Sequence, residues 1–403
     1  MSQQLNPPIL WHKVIAIAAI QGTITLTWVV YNMYLPDLLK QLGLAAGMAQ
    51  LLLIIEHFLE VIIEPIAGNF SDQQERKIGT RLPIITIGIL ISATLFLSIP
   101  ATVIFGNKSI NYLLIIMAIL WAGAMAIFRA PVMSLLRKTA NHKYLAQAAS
   151  LLTLFSSIIG ALQFDVFGII LKLGAPFAFF LGTVALLGSG FAIQKVFPPE
   201  IKDREITAKN KVIPNISVVN LAIIIVTGIS VGLGLKFFYA TLTPIFNNNY
   251  GDQGKLVMML FSIFLGISAL FTGKIAIKLG NGKGIFYGTL LTGIFVLILV
   301  FIPVKLITNL AIIVLLISFS LVLNGVFPFI LALIPEEKTG FGMGLYFGCF
   351  GGAISLFILL TNYLKTIFTK ITPEINSIGG FICFAIASSV VYFSLKQTKI
   401  IQS

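Results

Sequence analysis

The chain has 403 residues, of which 58% are hydrophobic and only 10% charged, with a net charge of +13 and a mean hydropathy of +1.00. Soluble domains carry about 25% charged residues, so a water-soluble fold is excluded and lipid must solvate much of the surface. The positive charges sit between long apolar runs, without the basic stripe and exposed aromatics of a nucleic-acid binder, which excludes that class as well.

A membrane-spanning helix needs about 20 mostly apolar residues. Runs of that kind predict twelve spans: Val14–Leu38, Ala45–Gly68, Ile84–Phe105, Tyr112–Leu136, Ala146–Leu173, Ala175–Val196, Ile216–Phe246, Leu256–Phe271, Gly284–Val304, Leu310–Ile334, Gly342–Phe368 and Ile378–Lys396. The N-terminal stretch MSQQLNPPILWHK has no signal-peptide pattern, so none is expected to be removed. The longest polar stretch, FPPEIKDREITAKNKVIPN, separates six spans from six. The expected division is therefore a bundle over 1–196, a linker over 197–215 and a second bundle over 216–403.

A faint repeat supports two related halves. The first span ends YNMYLPDLLKQLG and the seventh FYATLTPIFNNNYG, so Pro36 aligns with Pro244 and Gly43 with Gly251. Lysines and arginines set the orientation. Those in segments on the side of the termini, such as Arg76, Lys77 and Arg81 or Arg137, Lys138 and Lys143, outnumber the single lysines of the opposite side, such as Lys40, Lys108 and Lys172. Both termini are thus expected in the cytoplasm, in a bacterial-type plasma membrane. The fold class is all-α: twelve transmembrane helices in two pseudo-symmetric six-helix bundles. A monomer is expected.

The second span breaks the apolar pattern. MAQLLLIIEHFLEVIIEPIAGNFSD carries Glu56, His57, Glu60 and Glu64. One acid at a helix centre costs roughly 2.5–3.5 kcal/mol on insertion scales, whereas each large apolar residue contributes only about 0.3–0.6. This helix is therefore a poor lipid-facing helix all round. At about 100° per residue, Glu60, Glu64 and His57 lie about 40°, 80° and 100° from Glu56. The four polar groups share one arc, and Ile55, Phe58, Leu59, Ile62 and Ile63 cover the other side. Ionisable groups inside a membrane mark functional sites by default.

Their candidate charge partners are Arg129 in the fourth span, Asp165 in the fifth and Lys236 in the seventh. Glu60 and Arg129 sit at similar depth, about 10–12 Å from the same end of their helices, so they can form a salt bridge that is structural or functional. The four intramembrane carboxylates all belong to the first half. An excess of acid in a low-dielectric cavity invites protonation or a bound cation. No nucleophile–base or metal-ligand spacing is visible, so no enzyme activity, cofactor or structural metal is expected. Cys349 and Cys383 lie inside apolar runs and suggest no disulfide.

The run E-x-x-x-E-P-x-x-G-x-x-S-D at Glu60–Asp72, followed by Arg76, Gly79, Arg81 and Pro83, resembles the glycoside–cation symporters of the major facilitator superfamily, in both the melibiose permease and sucrose transporter branches. The resemblance implies that Glu60 and Glu64 bind a coupling H⁺ or Na⁺, as glutamates where the melibiose branch has aspartates. It also implies that Gly68, Asp72, Arg76 and Arg81 form a gate loop. IFRAPVMSLLRK in the fourth span is similar to the sucrose branch, whereas GALQFDVFG in the fifth lacks the glycine–proline signature of drug antiporters. What is then expected is cation-coupled symport of a small solute, a sugar or glycoside among the options, with antiport or uncoupled facilitation as alternatives. Candidate substrate contacts are Gln21, Trp28, Tyr31, Asn32, Gln163, Asp165, Lys236 and Asn324, with Trp28 and Tyr31 placed to stack on a ring.

Overall fold

The computed structural model describes residues 8–45, 47–105, 112–164, 166, 168–198, 214–302, 304–368 and 371–402. Apolar sequence of this length leaves the backbone no partner but itself, so helices form throughout. In chain order they are α1 (Trp11–Gln41), α2 (Met48–Ile78), α3 (Leu82–Ile104), α4 (Tyr112–Ser134), α5 (Leu145–Gly160), the short α6 (Ile169–Leu173), α7 (Ala175–Val196), α8 (Val218–Tyr250), α9 (Gly254–Leu279), α10 (Asn281–Phe301), α11 (Lys305–Ala332), α12 (Thr339–Ile367) and α13 (Pro373–Gln402). Ten segments are long and apolar enough to cross a membrane. One of them, Val218–Leu279, contains both α8 and α9, while α2 falls outside the ten. Counting both, the protein is a multi-pass membrane protein with twelve long helices among the described residues.

The packing repeats. In the first half α1 packs on α5 and α7, α2 on α4, and α3 on α4 and α7. In the second half α8 packs on α12 and α13, α9 on α11, and α10 on α11 and α13. Each pair in one half has its counterpart in the other, so the two bundles are pseudo-symmetric. The faint repeat has a structural meaning too: Pro36 and Pro244 both lie inside their helices, and Gly43 and Gly251 both take positive φ, at 77° and 54°. Between the halves α2 packs on α12 and α5 on α9, again as a related pair.

Two expected spans are revised. The fifth is not one helix over Ala146–Leu173: α5 ends at Gly160, a 3-10 turn covers Ala161–Phe164, and α6 starts after Gly168. Gly168 takes φ 61°, a conformation that interrupts a right-handed helix. The second span does not stop at Gly68 but continues through Asp72 and Arg76 to Ile78, where Gly79 at φ 78° closes it. No breaker lies between Gly68 and Gly79, so the residues expected in a gate loop mostly stand on the last turns of α2. Most of the expected linker lies outside the described residues.

Candidate functional site

α2 has two faces, as its periodicity requires. Phe58, Ile62 and Ile66 are more than half exposed on the bundle surface. Glu56, Glu60 and Glu64 are buried on the other side, each at most 2% exposed. The structure then divides the acids. Glu60 Oε2 accepts from Arg129 Nη2 at 2.9 Å, and Glu64 pairs with the same guanidinium. His57 Nδ1 lies 3.3 Å from Glu60 Oε2. Glu56 instead accepts a hydrogen bond from the Tyr31 hydroxyl of α1. The Arg129 guanidinium also lies over the Phe347 ring of α12, 4.9 Å from its centroid. Two carboxylates therefore share one arginine, with a histidine alongside.

What lets these acids sit so deep is glycine on the facing helix. Gly340, Gly344, Gly348 and Gly352 recur every four residues along α12, the small-residue spacing that lets two membrane helices approach closely. A methyl group on Gly344 would collide with the Glu64 carbonyl, and one on Gly351 with the Glu60 carboxylate. At Gly348 it would stand 3.0 Å from the Glu60 carbonyl oxygen. Ser355 Oγ adds a hydrogen bond to the Ile54 carbonyl at 2.9 Å. This stripe is not among the features expected from the sequence, although the run GFGMGLYFGCFGG carries the signal.

At the end of α2 a second cluster ties the halves together. Asp72 accepts from the backbone N–H of Gly340 and Phe341, both at 2.8 Å. It thus sits on the N-terminus of α12, where the helix dipole and free N–H groups favour an anion. Arg81 holds Asp72 at 2.7 Å and Glu75 at 2.5 Å, and donates to Thr339 Oγ1 at 2.7 Å. Arg76 donates to the Glu337 carbonyl at 3.0 Å. Arg137, beyond α4, donates to the Leu331 and Ile334 carbonyls at the end of α11, at 2.7 and 2.9 Å. The turn between α11 and α12 is therefore gripped at both ends by opposite charges from the first half. Gly68 meets Gly340 backbone to backbone in the same seam. Glu75 lies past the apolar part of α2. Burial pushes its carboxyl up, but Arg81 and Lys138 outweigh that and hold it below the usual range.

Two cavities lie between the bundles. The larger, about 560 Å³, is lined from both halves by Gln21, Trp28, Asn32, Arg129, Gln163, Phe327, Tyr346 and Phe347, among others. The smaller, about 230 Å³, is lined by Asn32, Leu35, Pro36, Ala49, Leu53, His57, Lys236, Ile354 and Ile358. Gln21, Trp28, Asn32, Gln163 and Lys236, among the candidate contacts, line these cavities. Two candidates do not. Tyr31 is fully buried behind Trp28 and Trp121 and spends its hydroxyl on Glu56. Asn324 is fully buried and donates to the Ala269 carbonyl and Thr272 Oγ1, tying α11 to α9. In both cases a neighbouring helix supplies the polar partner that a substrate was expected to supply. Asp165 lies outside the described residues.

The twelve-helix arrangement has solved counterparts. The human organic anion transporter MFSD10 (TETRAN) superposes with a TM-score of 0.69 at 12% identity, over 96% of this chain and 100% of that one. A bacterial homologue of the iron transporter ferroportin, in an outward-facing state, gives 0.71 at 14% identity, over 94% and 98%. At these identities the likeness is one of fold. No curated protein matches the sequence. The model of the Major Facilitator Superfamily matches residues 17–358, which is most of the chain, and the protein belongs to that superfamily of membrane transporters.

Proposed function

We propose that this protein is a secondary active transporter that couples a small solute to a cation through Glu60 and Glu64. The observation that carries the reading is the buried Glu60–Arg129–Glu64 cluster, pressed by α2 against the glycines of α12 at the seam between the bundles. We read the bundles as residues 1–196 and 216–403, joined by a cytoplasmic linker, with both termini on the cytoplasmic side as the basic residues require.

The chemistry follows from charge and place. With both acids ionised, Arg129 is shared and the α2–α12 seam is held by charge as well as by packing. A proton on Glu60 removes one of the two anions, frees part of the guanidinium, and changes the charge of the seam that must open for alternating access. Arg129 already fills the space between the carboxylates, and Gly351 closes on Glu60 from the other side. That crowding favours H⁺ over Na⁺, which needs a shell of several oxygens. Asp72 and Arg137, on the ends of α12 and α11, act as the latch for the side of the termini.

The test is transport in proteoliposomes. Glu60→Gln should abolish accumulation against a gradient, while exchange down a gradient continues. Concentrative, pH-driven uptake by that variant would sink the coupling reading. Solute movement in the opposite sense to the proton would make the protein an antiporter. Uptake indifferent to both pH and Na⁺ would make it a facilitator.

A further inference from the structure

The two cavities are one-sided in charge. Among their described lining residues the ionisable side chains that carry or can gain positive charge are Arg129 in the larger and His57 and Lys236 in the smaller, and no carboxylate lines either. The acids have turned elsewhere: Glu60 and Glu64 to Arg129, and Glu56 to Tyr31. Arg129 is therefore already compensated. Lys236 is not, since it forms no ion pair or hydrogen bond with the described residues. It stands near the middle of α8, about 21 Å from the Tyr250 end and about 27 Å from the Val218 end at 1.5 Å per residue. It lies well inside the helix, away from both of its ends.

The larger cavity complements this charge. Its wall carries Phe327, Phe347 and Phe350 together with the buried donors Trp28 Nε1 and Arg129 Nε, neither of which has a hydrogen-bond partner among the described residues. Buried donors of this kind call for an acceptor. Asn32 lines both cavities, so the two adjoin. A volume of about 560 Å³ is in the range of small-molecule sites, and the smaller cavity has room for a charged group.

We propose that the transported solute is an organic anion, with its anionic group on Lys236 and its apolar body in the aromatic cavity. This deepens the transport reading above, whose site it shares, and it favours an anion over a neutral sugar. The test is thermal stabilisation of the purified full-length protein in detergent. The probes are a panel of aryl and alkyl carboxylates and sulfonates, each paired with its neutral primary amide or sulfonamide. Stabilisation should be confined to the anionic members. Lys236→Gln should weaken the strongest of them at least tenfold, and Lys236→Arg should hold it within about threefold, which shows that the site still folds. Equal stabilisation by the neutral partners, no stabilisation by any panel member, or unchanged affinity in Lys236→Gln would overturn the proposal. Binding in detergent needs no gradient, so it separates this inference from the coupling. Anion-selective, Lys236-dependent binding supports it even where pH-driven uptake fails. By contrast, pH-driven uptake of a neutral solute overturns it and leaves the coupling standing.

Discussion

The two seams that join the bundles, α2 on α12 and α5 on α9, are related by the internal repeat but differ in chemistry. Both rely on glycine. Gly344 and Gly348 admit the backbone of α2, while Gly266 and Gly273 bring α9 against Leu154, Ser157, Ser150 and Gln147 of α5. The α2–α12 seam also buries Glu60 and Glu64 against the largely covered Arg129 and, at its end, Asp72 and Arg81. On the α5–α9 seam, α5 carries no ionisable side chain from Leu145 to Gly160, and the residues that meet Gly266 and Gly273 are neutral. Close packing is thus common to both seams, and charge is peculiar to one. A charged seam can be strengthened or weakened by a proton or an ion, and the proposed coupling therefore rests on α2 and α12, while the α5–α9 seam is read as packing.

That contrast can be broken most directly at its centre. Arg129→Met would leave two buried carboxylates without their partner, a loss of about 3–5 kcal/mol, read as a large fall in unfolding midpoint in detergent. Adding Glu60→Gln and Glu64→Gln to that variant should restore most of it. If the triple variant is as unstable as the single one, Arg129 does not serve the acids and the charged seam is misread. Next in size is the packing itself. Gly344→Ala forces a methyl into the Glu64 carbonyl and should cost about 1–3 kcal/mol as overpacking. Gly266→Ala finds its nearest neighbours at 3.1 Å and should cost less. A reversed order of the two melting temperatures would show that α5–α9 is the tighter seam.

The smallest expected effect is a matter of pH. Glu75 is held below the ordinary carboxylate range because Arg81 and Lys138 outweigh its burial. A depressed value in the folded state means that its stabilisation is fully present above the ordinary glutamate value of about 4.3 and fades as pH falls through the folded value. Glu75→Gln should lower stability at neutral pH, by on the order of 1 kcal/mol, and flatten the acid limb of a melting-temperature profile. An acid limb as steep as that of the unaltered protein would assign the loss to other carboxylates.

Several of these residues were visible along the chain. Three acids on one arc of a helix that should dissolve in lipid mark a buried face, and the exposed Phe58 and Ile62 confirm where the other face points. Equal depth put Arg129 within reach of Glu60. The extra length of α2 was harder to see, because apolar content marks the membrane and not the end of a helix. Its polar continuation from Gly68 to Ile78 is ordinary helix that has left the lipid. The break between Gly160 and Ile169 was hidden for the opposite reason: a mostly apolar run looks continuous even where a 3-10 turn and then Gly168, at positive φ, interrupt it.

The sequence by itself determined how many times the chain crosses the membrane, which side of α2 is polar and how deep its charges lie. Those properties follow from the rise and periodicity of a single helix. Only the tertiary structure decided which charge meets which. It gave Glu56 to Tyr31, gave Glu60 and Glu64 to Arg129, drew Tyr31 and Asn324 out of the cavities, and left Lys236 lining one without a partner among the described residues. The reason is that partners come from helices distant in sequence. Their approach is set by small residues such as the glycines of α12, and a helix's own pattern carries no record of the neighbour that will cover it.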